Sequence, residues 1–283
     1  MTQRLGPFRA VADHVYVASV PFTSLAGPAE ITVGLVVGSD TALLVDTGST
    51  PEQGRLLRGA AAEVTGAPLA TAVLTHWHYD HSFGLAGTGV PTSIAHETVR
   101  DRLTTPAAVA EAARLAVPVA ALAGPSREVA VAAALDLGGG VRAEVAHLGR
   151  GHTDGDLVVV VPGSAVVFAG DLVESSGPPC YGPDSFPHEW PTTLDGLIGL
   201  TTADTLVLPG HGGPLDRVAV FEQRSRIAAV SGEITRLAGL GVGLADAQQC
   251  GDWALPFTAV RDGYETGCAQ ARGVASRRSL PLV

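Results

Sequence analysis

A chain of 283 residues, 46% hydrophobic and only 16% charged, carries enough apolar material for a sizeable buried core, which excludes a disordered chain. Its net charge of −10, with all 18 cations arginines and no lysine, argues against a surface that grips nucleic-acid phosphates and excludes any mechanism that needs a lysine. The opening MTQRLGPFRAVADHVYVASV lacks the basic, apolar, small-residue order of a secretory signal, and no apolar run reaches the ~18 residues that span a bilayer. The expectation is a cytoplasmic protein with no membrane partner.

In chain order, strand-length β-rich runs bounded by Gly, Pro or Asp are expected at His14 to Val20, Thr32 to Val37, Thr41 to Asp46, Ala72 to Thr75 and Pro91 to Ala95. A helix is expected from Pro51 to Thr65: Ser49 or Thr50 can cap it, Pro51 suits the first turn, and Leu56, Leu57, Ala60 and Val64 form an apolar stripe. The Ala-rich stretch of about 104–134 reads as a helical insert. Strands return at Val141 to His147, Leu157 to Val161 and Ala165 to Ala169. A Pro-rich loop, Ser175 to Pro191, then leads to a helix and a strand ending in Leu206-Val207-Leu208. The last part, about 214–283, reads as mostly helical, with Leu215 to Leu240 its longest pattern. Two sets of strands with interspersed helices imply a two-sheet layered α/β fold, and no linker or repeat divides residues 1–283 into more than one domain. Cys180, Cys250 and Cys268 are odd in number and form no CxxC pair, so they read as ordinary thiols.

The chemistry concentrates at strand ends. THWHYDHSFG, residues 75–84, places three histidines and an aspartate within six residues directly after an apolar run. Imidazole and carboxylate are ligands that borderline divalent metals favour, and a turn leaving a strand can aim neighbouring side chains into one cavity. Further donors stand in similar Gly-flanked contexts at His152, Asp171 and His211. His14 and His147 lie in strand-like runs and read as core or edge residues, and His96-Glu97 as capping and surface groups. Gly48, Gly170 and Gly210 suit sharp turns; no phosphate-cradling GxxxxGK or GxGxxG occurs.

These residues, His76, His78, Asp80, His81, His152, Asp171 and His211, match in order the HxHxDH, H, D, H pattern of the metallo-β-lactamase fold superfamily, and the resemblance runs from about Val11 to Gly213. It implies an αββα four-layer sandwich with a two-metal site at one edge. By that resemblance His76, His78 and His152 hold one ion and Asp80, His81 and His211 the other, with Asp171 bridging them. The ions implied are zinc, with iron or manganese as alternatives. Asp46 in LLVDTG matches a strand-end aspartate that fixes a histidine ring. The implied reaction is hydrolysis by metal-bridging hydroxide, with Asp80 as general base.

Aspartate at position 171 resembles the glyoxalase II-like branch, whereas β-lactamases usually carry Cys or Ser there and often use a Lys to grip the drug. The expected substrate is therefore a small acyl compound: a thioester, a lactone or another ester. Glutathione specificity is not implied, because Arg261, Arg272, Arg277 and Arg278 match no recognisable glutathione-binding set. Tyr181, Phe186, His188 and Trp190 in the Pro-rich loop are candidates to line the substrate pocket, with Trp190 alternatively anchoring the next helix. The competing readings are a β-lactam hydrolase, a persulfide dioxygenase binding one iron through His76, His152 and Asp171, and a non-enzymatic metal-binding protein.

Overall fold

The computed structural model describes residues 5–24 and 27–278, with side chains as far as Gly273. The chain opens as an antiparallel meander of β1 (Arg9–Ala12), β2 (Val15–Ser24), β3 (Gly27–Val37) and β4 (Ala42–Val45). The β2–β3 ladder runs from Val15 opposite Val36 to Ser24 opposite Gly27, so this hairpin reaches well beyond the two short strands expected there.

Helix α1 (Pro51–Val64) starts where its capping residues require: Thr50 accepts from the Gln53 N–H, Pro51 needs no partner for a missing donor, and Glu52 complements the positive helix end. Leu57 and Ala61 are buried, whereas Leu56, expected in the apolar stripe, is 43% exposed. The chain then adds β5 (Leu69–Val73), the short helices α2 (Tyr79–Ser82) and α3 (Leu85–Thr88), β6 (Thr92–His96), α4 (Val99–Arg102) and α5 (Pro106–Arg114). Strands β4, β5, β6 and β7 (Arg127–Val129) pair in parallel, which completes a seven-stranded sheet in the order β1 to β7.

The stretch of about 104–134 is helical only in part. After α5 the chain turns into β7 at the edge of the first sheet, then into β8 (Ala132–Asp136) at the edge of the second. The sequence AAALD favours a helix by propensity, but its residues alternate between more and less exposed as β8 pairs residue by residue with β9 (Arg142–His147). Tertiary pairing overrides a weak local preference.

The second sheet has the order β12-β11-β10-β9-β8, where β10 is Leu157–Val161, β11 Val166–Gly170 and β12 Leu206–Pro209. Helices α6 (Trp190–Gly199), α7 (Arg217–Gly239), α8 (Leu244–Cys250) and α9 (Phe257–Arg278) follow from the Pro-rich loop onward. Three hydrophobic cores define the layers. Val36, Leu43 and Val73 of the first sheet meet Val145, Val159 and Phe168 of the second. Leu57 of α1 joins the outer face of the first sheet, and Leu194, Ile227 and Val260 of α6, α7 and α9 join that of the second. The result is the αββα sandwich. Gly34 sets the spacing at one point: a Cβ there would lie 2.2 Å from the Phe168 ring. Among the described residues no single helix is long and apolar enough to cross a membrane.

Candidate metal centre

The edge of the sandwich where β4, β5, β11 and β12 end gathers all seven expected donors. His76, His78, His152 and Asp171 form one group and Asp80, His81 and His211 another, and within each group one ligand atom per residue lies within 4.8 Å of the rest. Asp171 faces both. Its Oδ2 lies 3.4 Å from His152 Nε2 and 3.3 Å from His211 Nε2, while its Oδ1 lies 3.3 Å from His81 Nε2. Asp80 Oδ2 stands 3.4 Å from His211 Nε2 and 3.6 Å from His81 Nε2.

The rings converge because their outer nitrogens are held. His81 Nδ1 meets Asp46 Oδ2 at 2.8 Å, His78 Nε2 meets Asp184 Oδ2 at 3.1 Å, His152 Nδ1 meets the Cys180 carbonyl at 3.1 Å and His211 Nδ1 meets the Glu30 carbonyl at 2.8 Å. An acceptor on the outer nitrogen keeps the proton there and turns the other lone pair inward. Asp46 does more. It sits at φ 64°, a conformation uncommon for a residue with a side chain, directly after β4. From there its carboxylate also accepts the Thr75 N–H at 2.7 Å and the Thr75 hydroxyl at 2.9 Å. Thr75 Oγ1 in turn lies 3.1 Å from His76 Nδ1. The strained residue thus ties the end of β4 to the turn that carries four of the donors.

Three of the inner atoms lack protein partners. His76 Nε2, His81 Nε2 and Asp171 Oδ1 are buried without a hydrogen bond, and His152 Nε2 faces His78 Nδ1 at 2.9 Å. Orphaned buried donors and acceptors are costly, and two imidazole nitrogens whose protons sit on the outer side face each other with lone pairs that a cation would satisfy. Gly210 keeps the centre open: a Cβ there would lie 1.9 Å from Asp171 Oδ1. An all-nitrogen-and-oxygen donor set around this space fits divalent cations.

Charge balance is consistent with that fit. Burial and the neighbouring His81 hold His76 well below the ordinary imidazole range, and burial lowers His152 to about 4. Burial also acts to lower His211, but Asp171 and Asp80 outweigh it and push its pKa up to about 10; against the same opposition Asp171, Asp80 and Asp46 raise His81 well above its usual value. Burial opposes ionisation of Asp171, yet His211, His81 and His76 hold it well below the carboxylate range.

The four pocket candidates from the Pro-rich loop take other positions. Trp190 and Tyr181 are fully buried, with ring centroids 4.8 Å apart, and Trp190 Nε1 donates to the Leu172 carbonyl at 3.0 Å. His188 spans Ser231 Oγ and the Gly267 carbonyl, each at 2.9 Å, and so joins the loop to α7 and α9. Phe186 is half-buried beneath the Arg150 guanidinium. Trp190 also meets the His152 ring, with centroids 5.8 Å apart, so Trp190 and Tyr181 brace that ligand from behind. His96 is likewise no surface cap: it is buried at the end of β6, its ring 4.2 Å from that of His147. His14 is exposed and contacts the Val37 carbonyl through Nδ1.

Sequence reasoning missed Asp184. Its carboxylate accepts from His78 and, at 2.8 Å, from Trp77 Nε1, and these partners hold it well below its usual range despite burial. GPDS in a Pro-rich loop reads only as a turn, so the sole signal was an acidic residue downstream of Asp171.

The sandwich and its edge cluster define a class before any comparison is drawn: an α/β protein built around a His/Asp site suited to divalent metal. A family model described as the Metallo-beta-lactamase superfamily matches residues 26–211, which include all seven donors. The chain belongs to this superfamily. A metallo-beta-lactamase type 2 of Bacillus cereus is 32% identical over 81 residues, covering 28% of this chain and 32% of the relative. The like-named protein of Bacillus sp. (strain 170) is 32% identical over 76 residues, covering 26% and 30%. The chain thus spans about a third of the length of the curated relatives it matches. Among solved structures, a metallo-beta-lactamase from Pontibacter korlensis superposes with a TM-score of 0.66 at 23% identity, covering 80% of this chain and 99% of its own. The DIM-1 metallo-beta-lactamase exposed to ceftazidime gives 0.65 at 19% identity, covering 81% and 100%. At these identities the structures report a shared fold.

Proposed function

We propose that this protein is a two-zinc hydrolase of small acyl compounds, a thioester, a lactone or another ester, in the glyoxalase II-like branch of its superfamily. The observation that carries the reading is Asp171, an aspartate whose two oxygens face both halves of the donor cluster. His76, His78 and His152 would hold one ion, Asp80, His81 and His211 the other, and Asp171 both; iron or manganese suits the same donors. When bound, such a pair supplies Lewis acidity that activates water at neutral pH and polarises a carbonyl. The chain's own residues do the rest. Asp80 is placed to take the proton of the attacking water, Asp46 and Asp184 keep His81 and His78 in the productive tautomer, and Thr75 couples Asp46 to His76. Free thiols at Cys180, Cys250 and Cys268 suit a reducing compartment such as the cytoplasm.

A second reading, β-lactam hydrolysis, is favoured by the curated relatives, which carry the name metallo-beta-lactamase. Against it stand the missing lysine and the aspartate at 171. A panel of thioesters, lactones, a chromogenic β-lactam and a phosphodiester on the zinc-loaded protein separates the two. Turnover of thioester or lactone supports the first reading. Turnover of the β-lactam alone, or of the phosphodiester alone, overturns it.

A further inference from the structure

Beside the metal centre lies a cavity of about 620 Å³, bounded by the β2–β3 hairpin on one side and the turn after β12 on the other, with His211 in its wall. His211 is the one cluster residue that lines it, so the cavity is a chamber next to the reacting centre and not the centre itself. Its walls are largely apolar, from Val17, Ile31 and Leu208 among others. Among the described residues its single acid is Glu30, and no Arg lines it.

Glu30 is well placed to act as a selector. Its backbone carbonyl accepts from His211 Nδ1 at 2.8 Å, and its carboxylate accepts from the Ser19 hydroxyl across the hairpin. The hairpin is pinned here, because the Thr32 N–H donates to the Gly210 carbonyl at 2.7 Å and the Thr32 hydroxyl to Gly212 at 3.2 Å. Glu30 makes no ion pair among the described residues. On the opposite wall Ser176 gives both its N–H and its hydroxyl to Glu174 Oε1, each at 2.8 Å, so Ser176 is held by a residue outside the cavity. Arg114, Arg102 and Arg150 are engaged elsewhere: Arg114 with Glu111 and the Thr23 carbonyl, Arg102 with Asp154, and Arg150 with Glu189.

We propose that Glu30 is the specificity-determining residue of a subsite for a positively charged group. The preferred substrate then carries an ammonium or similar cation on the portion remote from its scissile acyl carbonyl, and compounds with a carboxylate in that position are rejected. A carboxylate without an ion-pair partner repels an anion, and an apolar chamber lined by one acid suits an alkylammonium. The word substrate rests on the hydrolase reading above; the charge preference of the cavity does not.

Two measurements on the zinc-loaded protein test this. The first is equilibrium binding of n-butylammonium and n-butanol to the wild type and to Glu30→Gln, followed by NMR. The ammonium should bind about fivefold tighter than the alcohol, on the scale of one partly exposed ion pair, and Glu30→Gln should abolish the difference. The second is kcat/KM for matched thioesters ending in ammonium, methyl or carboxylate. The wild type should favour them in that order through KM, and Glu30→Arg should reverse the order. Equal binding of butylammonium and butanol, or a difference unchanged in Glu30→Gln, overturns the subsite whichever thioesters are cleaved. Glu30-dependent binding with no thioester, lactone or ester cleaved upholds the subsite and removes the hydrolase reading. Cleavage without charge preference in any variant does the reverse.

Discussion

The two sheets contribute to the centre in opposite ways. The first supplies His76, His78, Asp80 and His81 from one turn after β5, locked from beneath by Asp46 at the end of β4. The second supplies His152, Asp171 and His211 singly, each from a separate connection or strand end, and depends on the Pro-rich loop and α6 to hold His152 and on the Glu30 carbonyl of β3 to hold His211. A compact local motif needs little more than one strained residue and its hydrogen bonds. A dispersed set needs a packed core behind it.

That difference can be broken most heavily on the dispersed side. Trp190 is fully buried between Tyr181 and His152, so Trp190→Ala should lower the unfolding free energy by about 3–5 kcal/mol in a denaturant melt. A loss under ~1 kcal/mol together with a raised KM would return Trp190 to the substrate pocket. On the compact side, Asp80→Asn keeps the size of the side chain but removes its charge and basicity. Turnover should fall at least ~10²-fold while the melting temperature holds, and near-normal turnover would strip Asp80 of its proton-transfer role.

A smaller effect sharpens the comparison, because Asp184 is where the two sides meet: a residue of the Pro-rich loop that holds His78 of the compact turn. Asp184→Asn should weaken zinc binding by about 10- to 100-fold, the usual scale for an outer partner of a ligating histidine. Unchanged affinity by competition with a chromophoric chelator would show that the turn positions His78 unaided.

How much could be read in the sequence follows the same division. The compact turn was legible because four donors in six residues have few other uses, and Asp46 by resemblance to a strand-end aspartate. His152, Asp171 and His211 were legible by resemblance and by their Gly-flanked contexts. The acceptors that aim the rings were not. Glu30 and Cys180 act through backbone carbonyls, which carry no side-chain signature, and Asp184 depends on a loop path that only tertiary packing fixes. For the aromatic and imidazole residues of the Pro-rich loop, composition shows apolar rings near a site but not which way they face, and the burial of Tyr181 and Trp190 is set by tertiary packing. The second half of the Ala-rich stretch misled because alanine is compatible with an edge strand whose partner lies elsewhere in the chain.

The central claim is that one aspartate joins the two halves into a two-metal centre, and metal stoichiometry tests it most directly. Zinc titration of metal-stripped wild-type protein, followed by elemental analysis, should give two ions per chain, and Asp171→Ala should retain no more than one. A wild type that saturates at a single ion, or an Asp171→Ala variant that still holds two, would contradict the account.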